Sequence, residues 1–490
     1  MRRNRKDKKD IIYNELMFYK KKNIYLNIQI IAIGLKFYKP IFKIMIKKSY
    51  FQCSIIFMIL IVSCSPDSDN DIAQLESVSP AQYNSDVVVS WFNLIKVLTT
   101  ETAGYTPPVA ARAFGYTGIA LYESIQVGSS DKLSLTGRIN DLNIETTIKE
   151  GLEYHWPTVA NTTMAIMTKF FYSNASIVNY SRILELETEF NNQYSNDIAE
   201  DVVNRSITFA NDLTEQIILW STTDGGYAAQ FNNFPTEYEP LPGVEFWKPT
   251  APGQRALQPY WGNNRPFISL NVESSIFVDP PVYSTDVNSI YYQRALEVYE
   301  VVNNVTPEQT VIAEFWSDDP QTSATPPGHS ISILNQLIND NDFDLLASSE
   351  AFAKLAIGIN DSFISCWKVK YTTNYPRPVT VIKNQIDASW ETILETPPFP
   401  EYTSGHSVQS GALASILTSL FGDNYAFIDR THENRADIDG TPREYSSFID
   451  MAEEAAESRL YGGIHFREGI DLGLEQGYQI GENVINIFDN

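Results

Sequence analysis

The chain is predicted to be all-α, on three observations. Apolar residues recur at three- and four-residue spacing along most of its length, helix-capping residues stand where several of these stretches begin, and loop-forming residues are gathered into one long excursion. The spacing predicts helices over 108–127, 157–173, 196–221, 307–317, 328–340, 346–370, 405–421, 446–462 and 471–487. Thr306 and Pro307 suit the start of the helix carrying Phe315 and Trp316. Ser404 suits the cap of the one beginning near Gly405. The stretch 222–285, which includes YEPLPGVEFWKPTAPG, is rich in Pro, Gly, Asn, Tyr and Trp and reads as a long irregular loop. Loops of this length are pocket lids or walls, or simple surface wrapping, and the sequence leaves both open. No repeat of solenoid length is visible.

The 490 residues divide unevenly in charge. Residues 1–63 hold 14 Lys and Arg against 3 Asp and Glu, which leaves 22 basic and 57 acidic residues for the remainder. So acidic a body argues against a nucleic-acid partner, and it makes any cluster of cations conspicuous. Its length is enough to bury a large core.

The first residues speak to location. Residues 1–44 are basic and apolar without clear order, and Met45 opens a better signal, MIKKSYFQCSIIFMILIVSC. Two lysines, an apolar run from Ile55 to Val62 and a small residue before Cys64 have the layout of a bacterial lipoprotein signal peptide. Met45 is therefore the expected start, residues 1–63 a misassigned leader plus signal, and residues 64–84 an acidic tether. Lipidation of Cys64 would be the only membrane attachment, and it implies an exported protein at the outer membrane or cell surface. A membrane anchor is the competing reading, although the apolar run is short for a span. Of Cys53, Cys64 and Cys366, only Cys366 then remains in the mature body, as a buried small hydrophobe.

Three strings in the last quarter carry the chemistry: KYTTNYPRP (370–378), TSGH (403–406) and SRLYGGIH (458–465). Arg377 and Arg459 can make forked, charge-assisted bonds to oxyanion oxygens, and Lys370 adds a compact charge. Arg377 precedes Pro378, where a helical run must break. Ser404 and the side-chain-free Gly405 allow close approach at a helix N-terminus. His465 and His406 then suit two different tasks, one reaching the central atom and the other exchanging protons. Taken singly, each string is ordinary helix-end or turn chemistry; their conjunction in an acidic chain is what points to a tetrahedral oxyanion.

The strings resemble the vanadium-dependent haloperoxidase and phosphatidic-acid-phosphatase type 2 superfamily at Lys370, Arg377, Pro378, Ser404, Gly405, His406, Ser458, Arg459 and His465. IAEFWSDDPQTSATPPGHS (312–330) is similar to a segment of the larger haloperoxidases in which an aspartate orients an anion-binding arginine, and Asp319 is the candidate here. Trp367 and Phe399 stand where fungal-type chloroperoxidases carry aromatic residues, and PPVAARAFGYTGIALYES (107–124) is similar to an early helix of the family. The resemblance covers roughly residues 85–490. It implies two four-helix bundles packed as one domain, with the cage inside 305–490.

The resemblance further implies vanadate as cofactor, with phosphate able to occupy the same cage in the apo form. His465 would be the axial ligand to vanadium, and Lys370, Arg377, Ser404, Gly405 and Arg459 would hold the oxygens. His406 would move protons as hydrogen peroxide and halide, iodide or bromide by expectation, yield hypohalous acid. Two alternatives stand beside this: an acid phosphatase in which His465 is the nucleophile, and a non-catalytic surface lipoprotein that binds a ligand. The phosphatase branch carries aspartate four residues after the last histidine. Here that position is Gly469, flanked by Glu468 and Asp471, which leaves the carboxylate partner of His465 unassigned. His329 after a Pro-Pro-Gly turn either enters the pocket or, the reading preferred, is structural, and His155 and His432 have no metal-ligand spacing. Without HExxH or a cysteine pair, no zinc site is expected, and TSGH lacks the elbow of a serine hydrolase. A monomer is expected from the charge and the tether.

Overall fold

Apolar spacing at threes and fours becomes helix wherever it was found. A computed structural model of the chain describes residues 77–196, 198–273 and 278–489; the leader, the signal peptide with Cys64 and most of the tether lie outside them. The N-terminal bundle holds α1 (Asp86–Glu101), α2 (Pro107–Gln126), α3 (Trp156–Phe171), α4 (Ile177–Ser195) and α5 (Glu200–Ser221). Then follow α6 (Ile290–Asn303), α7 (Pro307–Phe315), α8 (Thr325–Asp340), α9 (Leu345–Thr373), α10 (Pro378–Gln385), α11 (Gly405–Phe421), α12 (Phe448–Tyr461) and α13 (Arg467–Asp489). The one sheet among the described residues is an antiparallel pair, β1 (Phe427–Asp429) and β2 (Arg443–Tyr445), with Phe427 opposite Tyr445. No described helix is long and apolar enough to cross a membrane.

Helices α1, α4, α6 and α10 escaped the periodicity. In α1 the apolar residues are nearly continuous, Val87 to Val89 then Trp91 and Phe92, and a run of that kind has no period to detect. Helix α4 buries only Asn179, Ile183 and Phe190, so its apolar face is too sparse to see.

Helix α9 is the axis. It packs along α2 of the first bundle and against α11 and α13 of the second. Its central residues, IGINDSFISCW, are weak helix formers, costing up to about 0.7 kcal/mol each relative to alanine and about 1 kcal/mol at Gly358. Full burial of Phe352, Leu355, Ile357, Ile359, Phe363 and Trp367, about 1.5–3 kcal/mol apiece, outweighs that cost. Packing, not propensity, therefore makes this helix.

The pair α11–α13 sets the geometry of the site. Gly469, Gly473, Gly477 and Gly481 fall on one face of α13, and a Cβ on Gly477 would stand 2.2 Å from the Val408 carbonyl oxygen. Side chains there would force the helices apart. Their close approach brings the Ser404 amide to 2.8 Å from the Gly469 carbonyl, so the start of α11 is fixed against the start of α13.

The 222–285 excursion is a wall fastened to α9. The Leu257 carbonyl accepts from Trp367 Nε1 at 3.3 Å and the Tyr371 hydroxyl at 2.7 Å, and the Trp247 amide donates to the Asn374 carbonyl. Buried Asp361 accepts from the Phe267 amide at 2.8 Å, the Ile268 amide at 2.9 Å and Asn271 Nδ2 at 2.8 Å.

Candidate active site

Helix α9 delivers Trp367 and Lys370 on one face, then ends at Asn374, whose left-handed backbone (φ 48°) turns the chain. Arg377 is the residue capping α10, with Pro378 as the first helical position, so the predicted break falls between α9 and α10. Lys370 is fully buried, and its Nζ donates to the carbonyls of Glu401 (2.7 Å) and Pro400 (3.1 Å). Burial, with Arg377 nearby, pulls its pKa down to about 8. Arg377 is also fully buried; its Nε donates to the Phe399 carbonyl and Nη1 to that of Ile464, both at 2.8 Å. Its Nη2 has no protein partner.

The loop before α11 and the start of α13 supply the rest. Ser404 caps α11, its Oγ accepting from the Ser407 amide at 3.3 Å. A Cβ on Gly405 would meet only the Trp367 ring, at 3.7 Å, so the first turn of α11 is open on that side. His406 is half-buried, and its Nε2 is enclosed without a protein partner. Buried Arg459 donates through Nε to Ser458 Oγ and through Nη2 to the Ala313 carbonyl, both at 2.9 Å. His465 is buried, with Nε2 3.2 Å from Arg377 Nη1. Burial, and then the charge of Arg377, holds its imidazole well below the usual pKa and therefore neutral.

The carboxylate partner of His465 is neither Glu468 nor Asp471. Glu468 pairs with Arg294, and Asp471 lies 3.9 Å from Arg467. Glu401 takes the place: its Oε1 is 2.7 Å from His465 Nδ1 and accepts from the Phe466 amide at 3.0 Å. It also explains Gly469, since a Cβ there would stand 2.4 Å from Glu401 Oε1. The phosphatase-type aspartate is absent because another carboxylate, from a different part of the chain, fills its volume. Glu401 lies three residues before Ser404, and its signal in the sequence was a lone acid amid the apolar PPFPEY.

Trp367 and Phe399 form one aromatic wall, ring centroids 4.8 Å apart, and the Phe399 ring lies 5.0 Å from Lys370 Nζ and 4.8 Å from the Arg377 guanidinium. Asp319 is exposed and acts on Arg459 only through space. Its neighbour Asp318 is buried and is the stronger influence on that arginine, after burial itself. The loop buries Asp318 and leaves Asp319 exposed, so the buried carboxylate is the neighbour of the one anticipated. Asp318 in turn bonds His329, away from the cage.

Lys370, Arg377 and Arg459 are thus buried around a neutral histidine, with buried Glu401 near the first two and buried Asp318 near the third. Burying cations so incompletely paired costs several kcal/mol per ion. Burial pulls both arginines down to about 10. A multiply charged oxyanion offsets that cost: the unpartnered Arg377 Nη2 and the open turn at Gly405 offer it donors, and the unpartnered His406 Nε2 stands ready to exchange a proton. The residues present therefore fit vanadate or phosphate.

Comparisons with known proteins agree. Residues 350–490 match the family model of the vanadium chloroperoxidase second helical-bundle domain. A vanadium chloroperoxidase from Curvularia inaequalis is 23% identical in an alignment 314 positions long that covers 50% of this chain; the match spans about half (51%) of that relative's length. Among solved structures, a bacterial vanadium-dependent iodoperoxidase is 31% identical with a TM-score of 0.73, over 83% of this chain and 97% of that one. An apo-type bacterial vanadium-dependent chloroperoxidase shares the fold at 14% identity and a TM-score of 0.63, over 84% and 98% of the two chains. On its sequence, fold and cage residues, the chain belongs to the vanadium-dependent haloperoxidase family.

Proposed function

We propose that this protein is a vanadate-dependent haloperoxidase that uses hydrogen peroxide to oxidise iodide or bromide to hypohalous acid. The observation that carries the reading is His465: neutral, its Nδ1 proton on Glu401 and its Nε2 lone pair facing three buried cations. Iodide is favoured because the 31% identical relative is an iodoperoxidase and because iodide is easily oxidised.

Bound vanadate supplies a Lewis-acid centre that need not change oxidation state. Around it, His465 Nε2 would be the nitrogen donor, with Glu401 holding the imidazole in the tautomer that leaves Nε2 free. Lys370, Arg377, Arg459, the Ser404 hydroxyl and the Gly405 amide would hold the oxygens and stabilise developing charge. His406 Nε2, neutral because burial and then Arg459 depress its pKa, would take a proton from hydrogen peroxide and give it back later in the cycle. Trp367 and Phe399 exclude water from the Lys370 side. For location, the signal-like stretch 45–64 supports an exported enzyme tethered by lipid on Cys64.

Apo-protein, with and without orthovanadate, is assayed for peroxide-dependent iodide oxidation beside phosphomonoester hydrolysis. Oxidation that requires vanadate is expected. Hydrolysis that vanadate inhibits, with no oxidation, identifies the phosphatase instead, and neither activity leaves a binding protein. His465→Ala is expected to abolish vanadate binding, and unchanged binding refutes the ligand assignment.

A further inference from the structure

Linear spacing gave His329 and His432 no metal partner, but folding supplies one. Asp318 from the loop after α7, His329 from α8 and His432 from the segment after β1 meet with their ligand atoms all within 4.8 Å of one another. All three are buried. Asp318 Oδ1 and His432 Nε2 stand 3.3 Å apart, and neither has a polar partner other than the other. Two donors on one tetrahedral ion, with bonds of about 2.0–2.1 Å, lie about 3.3 Å apart, so this is ligand spacing.

The third donor comes with its support. His329 Nδ1 is 2.7 Å from Asp318 Oδ2, while its Nε2 is 2.6 Å from Oδ2 of buried Asp429. Asp429 is itself anchored, through Oδ1, by the Thr431 amide at 2.9 Å. A carboxylate on the far nitrogen is what orients a metal-bound imidazole. The Trp316 ring stacks on His329 at 4.5 Å and Phe315 meets His432 edge-on at 4.9 Å, so both imidazoles are held in place. The cluster borders a cavity of about 200 Å³ that gives an ion and a water access.

We propose that Asp318, His329 and His432 form a second metal site, separate from the oxyanion cage, for a borderline divalent cation such as Zn²⁺ or Co²⁺, with a fourth position open to water. Two imidazoles and one carboxylate suit these ions and not Mg²⁺ or Ca²⁺, which require more oxygen donors. Without the ion, His329 is held between Asp318 and Asp429 through its two ring nitrogens. Binding replaces the Nδ1 proton, which leaves to solvent, and the Nε2 proton stays on the Asp429 side. Lys96 and Arg435 line the same cavity and oppose a cation, so this site is weaker than one with neutral walls. An ion here clips the loop after α7, helix α8 and the β1 connection together behind the cage.

The test is cobalt(II) titration of the full chain, loaded with orthovanadate and dialysed against chelator, followed by visible absorption. We expect the intense d–d bands of four-coordinate cobalt to saturate at one equivalent and to be displaced by Zn²⁺. They should be lost in His432→Ala and kept in His465→Ala, which separates this site from the cage. His432→Gln, which preserves volume, gives the same reading should the alanine variant be unstable. Weak six-coordinate absorption alone, or strong bands undiminished by either His432 variant, overturns the assignment.

Discussion

Glu401 and Gly469 occupy one volume: the carboxylate that grips His465 lies where any side chain at position 469 would have to go. The first prediction tests the grip. Glu401→Gln removes the charge that keeps the Nδ1 proton in place and makes Nε2 a strong donor. Vanadate affinity should fall about 10- to 100-fold, as for other partners of metal-bound histidines, and reconstitution of apo-protein with orthovanadate measures it. Affinity within twofold of wild type would show that His465 is oriented by its other contacts.

Gly469→Ala tests the same volume from the other side. The new methyl would stand 2.4 Å from Glu401 Oε1, and the carboxylate cannot yield without leaving His465 or the Phe466 amide. Overpacking of this kind costs about 1–3 kcal/mol, and vanadate binding should weaken with it. Chemical denaturation and reconstitution read the two effects. Gly469→Ala in a Glu401→Ala background should recover stability, because the obstruction is gone.

Arg377 makes three contacts with a planar fork, to Phe399, Ile464 and His465, and leaves Nη2 for the anion. Arg377→Lys keeps the charge and loses the fork. Loss of a charge-assisted bond of about 1.5–3 kcal/mol weakens vanadate binding by about 10- to 100-fold. A lysine variant equal to wild type in titration with orthovanadate would mean that charge alone holds the oxyanion.

Asp361 gives a pH prediction far from the cage. Burial raises its pKa from 3.8 to about 6, although the Phe267 and Ile268 amides pull the other way. A group whose folded pKa is raised binds more protons when folded, so its stabilising contribution is full below pH 3.8 and lost as pH rises to about 6. Melting temperature of the wild type should therefore fall relative to Asp361→Asn across that window and run parallel above it. Above that window Asp361→Asn should still be less stable by about 1–3 kcal/mol, because an amide cannot accept from both backbone donors. A constant difference from pH 4 to 7 would contradict the assignment.

Most of the fold was legible because its signals are local. The period of α2, α9 and α11, the Thr306 cap of α7 and the Ser404 cap of α11 are set by residues within a few positions of one another. The helices that escaped include α4, whose buried face is sparse, and α1, whose apolar residues run nearly without interruption from Val87 to Phe92. Of the cage, the residue types and order could be read directly, since three cations, two histidines and a Ser-Gly pair are rare together in so acidic a chain. Its supports could not. Glu401 reaches His465 across 64 positions and Asp318 reaches His432 across 114, and no spacing rule connects such pairs.

The sequence by itself determined that this chain is helical and that its last quarter carries an oxyanion-binding set, because periodicity and residue chemistry are properties of the residues themselves. Tertiary structure alone decided which carboxylate holds His465, why position 469 must be glycine, that the long loop is a wall against α9, and that two isolated histidines share one aspartate. Each of those depends on how closely α11 approaches α13 and how the loop after α7 folds back. Such distances come from packing many side chains at once, and no single stretch of sequence contains them.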